Sequence, residues 1–209
     1  IGQPICRNLD IFLSGEKWVE EYFFKHSTKY QFSLIEGAMG LFDGLGSTSY
    51  SSTANVAKLL QVPVVFIVNA KAQVASLLPL VKGFRNFDHE LSIKGIIFNN
   101  VNSTRHKKLI EEVFQNEDIE ILGFLPSDPK ITLNKAHLGL ISPLDSDKKL
   151  DINYFANYAE KNLDLFSLGK FLRSPQKKLL NNKKRNELLK LYSNNHLSKK
   201  RNSTLINLL

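Results

Sequence analysis

The stretch FSLIEGAMGLFDGLGSTSYSSTANVAKLLQVPVVFIVNA, residues 32–70, decides the predicted fold. It contains a short apolar run, a glycine-rich loop, a helix-like segment that begins at about Thr53, and a second apolar run. Apolar runs of this kind, which we interpret as strands, recur about every 30 residues, as expected of a βαβ repeat. The four runs lie near Phe32–Ile35, Val64–Val68, Ile93–Phe98 and Ile119–Leu125.

Helix-like segments separate these four runs. They are predicted over Thr53–Gln61, Val74–Phe87 and Arg105–Asn116. Two further helices are predicted outside them, Glu16–His26 with Ser14 as its cap and Asp151–Phe171. Strands that alternate with helices and are apolar throughout indicate a parallel sheet that is buried on both faces. We therefore predict an α/β fold, doubly wound, with a mainly parallel sheet and helices on both faces.

Composition excludes several other classes of protein. Of the 209 residues 43% are hydrophobic and 23% are charged, which excludes a disordered tail, a collagen-like fibre and a disulfide-stapled miniprotein. The single cysteine, Cys6, excludes an intrachain disulfide and a multi-cysteine metal site, and fits a reducing compartment, so we predict a cytoplasmic location. No apolar run reaches the roughly 18 to 20 residues that a membrane span needs.

The net charge of +8 is concentrated in the last 35 residues. Between Pro175 and Leu209 there are nine Lys or Arg side chains and one acid, Glu187, whereas residues 1–174 are formally neutral. The tail is interpreted as a solvated linker, because it has no aromatic side chains arranged to stack on bases. The alternative is a non-catalytic α/β module whose basic tail binds nucleic acid or an acidic partner.

Two carboxylates flank the glycine-rich loop. Glu36 follows the first apolar run and Asp43 lies seven residues later. Ligands of open α/β sheets bind at the carboxyl ends of strands, and two carboxylates there could hold Mg²⁺. In the alternative interpretation Glu36 caps a backbone group and the glycines only turn the chain. Ser52 or Thr53 stands at a predicted helix N-terminus, where it either caps the helix or contacts an anion.

Three further positions qualify as site candidates. Asn99 and Asn100 follow the third apolar run and could offer amide groups to a base, although asparagines at strand ends more often serve turns. His137 has no His, Asp or Glu at metal-ligand spacing, which favours a structural role.

The motif GxxxxGK[ST], which forms the phosphate-binding loop of many nucleotide-binding proteins, does not occur in the chain.

Seven motifs, in this order, give the chain a close resemblance to the cobyrinate a,c-diamide synthases. The resemblance covers about residues 7–172. The motifs are EGAMGLFDG (36–44), STANVAKLL (52–60), PVVFIVNAKAQVAS (63–76), VKGFRNFD (81–88), GIIFNNVNSTRH (95–106), LGFLPSDP (122–129) and HLGL (137–140).

The resemblance implies a fold and an activity. The family belongs to the dethiobiotin-synthetase-like branch of the phosphate-loop NTPase fold. Its members use ATP and Mg²⁺ to amidate the a and c acetate carboxylates of cobyrinic acid, with ammonia drawn from glutamine by a C-terminal glutaminase domain. Residues 1–172 would be a partial synthetase domain and residues 173–209 a basic linker or tail. A homodimer is a further expectation.

The resemblance also implies roles for single residues. Glu36 and Asp43 match the family's acidic pair, implied to serve Mg²⁺ and phosphoryl transfer. Asn99 matches an asparagine implied to touch adenine, and Pro126 lies in the loop near that base. The remaining matches, implied to bind the corrinoid carboxylates, are Ser52, Thr53 and His137.

The chain also departs from the family pattern. It begins at Ile1 and has a single methionine, Met39, so we interpret it as a fragment. The family's phosphate loop is expected before Ile1 and its glutaminase domain after about residue 175. Lys135 replaces an acid near the histidine of HLGL. The chain alone is therefore expected to bind ATP poorly and to hydrolyse no glutamine. The nearest alternatives are a cobyric acid synthase or a dethiobiotin-synthetase-like ligase.

Overall fold

The computed structural model describes residues 8–27, 30–131 and 151–172. Seven helices and three strands occur in these ranges. In chain order they are α1 (Ile11–Ser14), α2 (Glu16–Ser27), α3 (Thr53–Leu60), β1 (Val64–Asn69), α4 (Leu77–Phe87), β2 (Ile93–Asn99), α5 (Thr104–Phe114), β3 (Glu120–Leu125), α6 (Ile152–Asn162) and α7 (Leu165–Phe171). His137, Lys135 and the basic tail lie outside the described residues.

The three strands form one parallel sheet in the order β1-β2-β3. Asn69 is paired with Asn99, and Asn99 with Leu125, so the carboxyl ends of the strands are level with one another. The register of β3 shifts between Ile96 and Ile97 of β2, where Leu122 is the extra residue of a bulge. Three of the predicted strands and their parallel direction are confirmed.

The prediction of a strand near Phe32–Ile35 is wrong for the described structure. These residues belong to no strand, and none of the described chain pairs with them in a ladder. Leu34 is 84% exposed, whereas Ile35 packs on an apolar cluster. An apolar run has side chains typical of a strand, but the run forms a strand only where its backbone hydrogen-bonds to a neighbouring strand.

One face of the sheet is covered by α4 and α5. Val68, Phe98 and Phe124 of the three strands pack against a buried set from these two helices, which is Leu77, Val81, Ile110 and Phe114. Phe98 is fully buried, with its ring 5.1 Å from that of Phe114 and 5.7 Å from that of Phe124, measured between centroids. This aromatic cluster is the centre of the main core.

The junction between α6 and α7 lies at the free edge of β3, the edge that does not pair with β2. Leu163 forms an antiparallel bridge with Gly123, and the amide of Asp164 donates to the carbonyl of Leu122 at 2.8 Å. The single helix predicted over Asp151–Phe171 is therefore two helices. The break arises because the Asp164 carboxylate caps α7 by accepting from the amide of Ser167, and because Leu163 is drawn into pairing with the strand. The α/β fold with a parallel sheet is confirmed, whereas Ile67, on the face of the sheet away from α4 and α5, is 60% exposed.

The N-terminal helix pair packs on α3. Val19 and Phe23 of α2 are buried with Val56 and Leu60 of α3. The predicted cap is wrong, because Ser14 is the last residue of the short helix α1, which ends at Gly15 with a φ of 79°. No described helix is long and apolar enough to cross a membrane.

Gly123→Ala is expected to lower the free energy of unfolding by roughly 1 to 3 kcal/mol. An added Cβ would lie 2.4 Å from the backbone oxygen of Asn162 and 3.0 Å from the Cα of Leu163, so the α6–α7 junction would have to move. Gly83→Ala is the matched control, because nothing lies within 4 Å of its added Cβ and alanine favours a helix interior by about 1 kcal/mol. Urea denaturation measures both. Equal effects would contradict the described contact.

Candidate functional site

The glycine-rich loop folds back onto the first turn of α3. The amide of Ala54 donates to the carbonyl of Leu41 at 2.9 Å. Gly37 lies against Thr53, since a Cβ added to Gly37 would be 2.5 Å from the Thr53 hydroxyl oxygen. Both halves of the segment that carries Glu36 and Asp43 are therefore anchored at the N-terminus of one helix, which only the folded chain shows.

Short turns hold the second half of this loop. The amide of Asp43 donates to the carbonyl of Gly40 at 3.0 Å, and the amide of Gly44 donates to the carbonyl of Thr48 at 3.1 Å. Gly44 has no room for a side chain, because its Cβ would lie 2.1 Å from the carbonyl oxygen of Tyr50. Glycine at this position allows the chain to close on itself directly beside Asp43.

Glu36 and Asp43 are both solvent-exposed. Neither carboxylate has a hydrogen bond or ion pair with another described residue. A Cβ on Gly40 would lie 2.2 Å from the Asp43 Oδ2 atom, so glycine at position 40 leaves the space beside that oxygen open. Exposed, uncommitted carboxylates fit the chemistry of Mg²⁺, which takes one or two protein oxygens and fills its other positions with water and phosphate. The described ranges contain no group of three or more His, Cys, Asp or Glu residues arranged to hold a metal.

Ser52 and Thr53 form the N-terminus of α3. Ser52 is the N-cap, as predicted, and its hydroxyl oxygen accepts from the amide of Asn55 at 3.2 Å. Its side chain is buried, with 1% of its surface exposed, whereas Thr53 is half-buried. The start of a helix favours a bound anion. A substrate contact by either residue stays a prediction.

Asparagine and serine side chains form a network at the carboxyl edge of the sheet. Asn100 donates from Nδ2 to the Asn69 Oδ1 atom at 2.8 Å, and Ser127 donates from its hydroxyl to the Asn100 Oδ1 atom at 2.9 Å. The amide of Ser127 also donates to Asn102 Oδ1 at 2.6 Å. This network ties the loops after all three strands together.

Asn99 ends β2 inside this edge. Its Oδ1 atom accepts from the amide of Asn100 at 2.9 Å, and its Nδ2 donors bond to no other residue in the described ranges. The backbone amide of Ala70 donates to the carbonyl of Asn99 at 2.8 Å. Pro126 directly follows Leu125, the register partner of Asn99 in β3. The structure thus brings Asn99 and Pro126 to one edge, and contact with a base stays a prediction.

Two tyrosines of α6 hold the loop that contains Pro126. Tyr158 donates from its hydroxyl to the Pro126 carbonyl at 2.5 Å, and Tyr154 donates to Asp128 Oδ2 at 2.5 Å. The Tyr154 hydrogen bond lowers the pKa of Asp128 below its ordinary 3.8 and raises the pKa of Tyr154. Burial, followed by the nearby charge of Asp128, raises the pKa of Tyr158. We refer to these two contacts as the tyrosine clamp.

Tyr154→Phe is expected to make stability less sensitive to acid. Because folding lowers the pKa of Asp128, its contribution is fully present above 3.8 and is lost as the pH falls through the lowered value. Without the Tyr154 hydroxyl, thermal unfolding curves recorded from about pH 5 to about pH 2 should fall less steeply than those of the wild type. Tyr50→Phe is the control, since the Tyr50 hydroxyl has no partner among the described residues. Identical pH slopes in all three proteins would contradict the prediction.

Sequence reasoning missed several members of this edge. Asn69 ends β1 just as Asn99 ends β2, so a repeat of asparagine at strand ends was available as a signal. Ser127 and Tyr158 had no comparable signal, because their partners lie 27 and 32 residues away in the chain. His137, the remaining predicted substrate ligand, lies outside the described residues.

Comparison with known proteins gives the family. A family model described as an AAA domain matches residues 14–135. A cobyrinate a,c-diamide synthase of Caldanaerobacter subterraneus subsp. tengcongensis is 40% identical over 165 residues, which cover 77% of this chain and 36% of that protein. The enzyme of the same name from Synechocystis sp. is 38% identical over 181 residues, which cover 84% of this chain and 37% of the relative.

A third relative gives the same result. The cobyrinate a,c-diamide synthase of Methanocaldococcus jannaschii is 38% identical over 164 residues, which cover 76% of this chain and 37% of that protein. The chain therefore spans little more than a third of the length of these curated relatives. No solved structure matches it. The chain belongs to the AAA domain family, and it is similar to the cobyrinate a,c-diamide synthases, as its motifs predicted.

Proposed function

We propose that this chain forms the central part of an ATP-dependent ligase that amidates the a and c acetate carboxylates of cobyrinic acid in cobalamin biosynthesis. The observation that carries the proposal is its 40% identity over 165 residues to a protein named cobyrinate a,c-diamide synthase. The cytoplasm is the proposed location, since the lone cysteine fits a reducing compartment.

The chemistry requires activation of the acetate. Ammonia does not displace oxide from a carboxylate, so a carboxylate oxygen first attacks the γ-phosphorus of ATP. The bond from that phosphorus to the bridging oxygen breaks, ADP leaves, and an acyl phosphate remains. Ammonia then attacks the acyl carbon, phosphate leaves with its electron pair, and loss of a proton from nitrogen gives the amide. Catalysis of the first step consists mostly of positioning and of neutralising phosphate charge.

Glu36 and Asp43 are the proposed ligands of Mg²⁺. When bound, the metal neutralises phosphate charge and orients the transferred group. The two carboxylates are exposed and uncommitted, and Gly40 keeps the space beside Asp43 Oδ2 open. The folded-back loop anchors both to the start of α3, whose amide groups favour an anion there. The residues of this chain therefore supply both the charge and its fixed position.

The nucleotide base is proposed to lie at the carboxyl edge of β2 and β3. Asn99 has free Nδ2 donors for a base acceptor, and Pro126 offers an apolar surface beside it. The network of Asn69, Asn100 and Ser127 fixes the three loops that surround this position. Because these side chains already bond to one another, they would need little ordering when a nucleotide binds.

The remaining roles concern the second substrate and the nitrogen donor. The residues proposed to contact the corrinoid carboxylates are Thr53, Ser52 and His137. Because the Ser52 side chain is buried, its proposed contribution is to cap the helix and so to fix the start of α3. Glutamine, hydrolysed by a glutaminase domain, or free ammonia is the proposed donor. A homodimer is the proposed assembly.

The experiment is an assay of the native protein that carries this chain. Purified protein is incubated with cobyrinic acid, ATP and Mg²⁺, with glutamine or with ammonium, and the corrinoid products are separated by mass. Formation of the diamide that depends on ATP and Mg²⁺ would support the proposal. Cobyric acid synthase and dethiobiotin synthetase substrates, offered in competition, distinguish the alternative ligases.

Absence of any amidation, together with salt-sensitive DNA binding by residues 173–209, would instead favour the non-catalytic module with a basic tail. Binding of nucleotide to the chain itself is a separate measurement. Because the chain alone is expected to bind ATP poorly, the ¹⁵N-labelled chain is titrated with Mg²⁺ and ATP to millimolar concentrations. The amide signals near Asn99 and in the loop from Glu36 to Gly44 should then shift. Shifts elsewhere alone would contradict the assignment of the site.

A further inference from the structure

A polar cleft lies at the amino ends of the strands, on the edge of the sheet opposite to Asn99 and Pro126. Its volume is about 550 Å³, within the range of small-molecule sites. The residues that the argument uses are contributed by α4, by the segment that leads into β2, by the start of β2 and by the residues before β3. They are Lys82, Arg85, His89, Ser92, Lys94 and Glu117. We call this the amino-edge cleft.

The acids that line the amino-edge cleft are already paired. Lys82 binds Glu117 at 2.7 Å between Nζ and Oε1. Glu90, the other lining acid, lies 3.5 Å from the ammonium group of Lys58, which also binds Asp88 at 2.6 Å. The hydrogen bond between Lys58 and Asp88 raises the pKa of the lysine and lowers the pKa of the aspartate. Glu117 is therefore held by a close ion pair, and Glu90, which is 84% exposed, faces Lys58 at a longer distance.

The remaining cations of the cleft have no such partner. Arg85 and Lys94 form no ion pair and no hydrogen bond with the residues that the structure describes. Arg85 is half-buried, although a guanidinium carries five N–H donors that lose water when they are covered. Its position in the last turn of α4 gives it a favourable interaction with the helix dipole, but that interaction satisfies none of these donors.

The geometry points to a ligand with phosphate chemistry. We propose that the amino-edge cleft binds a compact anion that carries at least two negative charges on phosphate groups, such as a diphosphate. The planar fork of Arg85 matches two phosphate oxygens, and Lys94 supplies a second charge. His89 and the hydroxyl group of Ser92 add donors from a different element of the wall. A small polar cavity with few apolar side chains suits a compact ion better than a peptide with apolar anchors.

The test is a titration of the ¹⁵N-labelled chain with inorganic pyrophosphate at constant ionic strength. Amide signals of Arg85, Ser92 and Lys94 should shift, while those of Asn99 and its neighbours stay in place. Arg85→Gln is expected to weaken binding about tenfold or more, because it removes charge-assisted hydrogen bonds. Lys94→Gln is expected to weaken it about two- to fivefold.

Lys17→Gln is the matched control, because Lys17 is exposed on α2 and the substitution lowers the net charge by one, as Arg85→Gln and Lys94→Gln each do. Its affinity for pyrophosphate should equal that of the wild type. Absence of shifts at millimolar pyrophosphate, or equal weakening by Arg85→Gln and Lys17→Gln, would overturn the proposal. Tighter, Arg85-dependent binding of an acidic peptide would also overturn it, in favour of a protein partner.

The outcome is separable from that of the proposed ligase activity. Pyrophosphate is used without nucleotide, and its binding is detected at the amino edge of the sheet. Arg85→Gln should leave the ATP-dependent shifts near Asn99 unchanged. Thermal unfolding of each variant checks that the fold is intact, and Lys94→Gln provides a second test if Arg85→Gln lowers stability.

Discussion

Asp43→Asn and Glu36→Gln are each expected to lower the rate of cobyrinic acid amidation by roughly 10³-fold or more in the native protein. Each change removes one negative charge and keeps the size of the side chain. The amide is a far weaker ligand for Mg²⁺, so the charge on the transferred phosphoryl group would be poorly neutralised. Because both carboxylates are exposed and unpaired, neither change should alter stability by more than about 0.5 kcal/mol.

The measurement is the steady-state rate of diamide formation at saturating ATP and over a range of Mg²⁺ concentrations. Glu112→Gln is the control, because Glu112 is exposed on α5 and has no partner among the described residues. The control should keep the wild-type rate. Near-wild-type rates for both site variants would show that the metal and catalytic assignment is wrong, even if the protein proves to be a ligase.

Phe98→Ala is expected to lower the free energy of unfolding by about 3 to 5 kcal/mol. Phe98 is fully buried on the central strand, between the rings of Phe114 and Phe124. Removing its ring leaves a cavity and loses the contacts of the aromatic cluster at the same time. Since single domains are commonly stable by only about 5 to 15 kcal/mol, such a loss would unfold a substantial fraction of a marginal protein.

Urea denaturation of the chain, followed by circular dichroism, measures this effect. Phe166→Ala is the matched control, because its ring is 82% exposed on α7, with the Lys170 ammonium group 5.3 Å from the ring centroid. The control should cost less than about 1 kcal/mol. Similar losses for both variants would contradict the location of the core between the sheet, α4 and α5.

Phe98 links the stability of the core to the proposed nucleotide site. Phe98 directly precedes Asn99, so the side chain that fixes the central strand also fixes the start of the proposed base site. The next residue, Asn100, adopts a φ of 65°, a conformation that asparagine tolerates better than most residues, and its side chain contacts both neighbouring loops. A loosened core should therefore weaken nucleotide binding before the chain unfolds completely.

The sequence alone determined the alternation of strands and helices, because the spacing of apolar residues differs between the two kinds of segment. Continuous apolar runs such as Val64–Val68 are typical of parallel strands, and their alternation with helical segments predicts a parallel α/β sheet, although Ile67 of this run is 60% exposed in the structure. Local hydrogen bonding also determined the Ser52 cap of α3, since it involves residues three positions apart. The motifs that carry the family resemblance are likewise properties of the chain.

Tertiary structure decided what depends on partners distant in sequence. The run at Phe32–Ile35 has the side chains of a strand, but it lacks a backbone neighbour in the described residues and so forms none. The predicted C-terminal helix divides at Leu163 because β3 offers a bridge at Gly123, 40 residues earlier. The tyrosine clamp and the amino-edge cleft likewise join side chains from separate elements. The spacing of apolar residues in the sequence indicates which side of each segment is buried. Strand pairing, helix interruptions and binding sites depend instead on which segments contact one another, and only the folded chain decides those contacts.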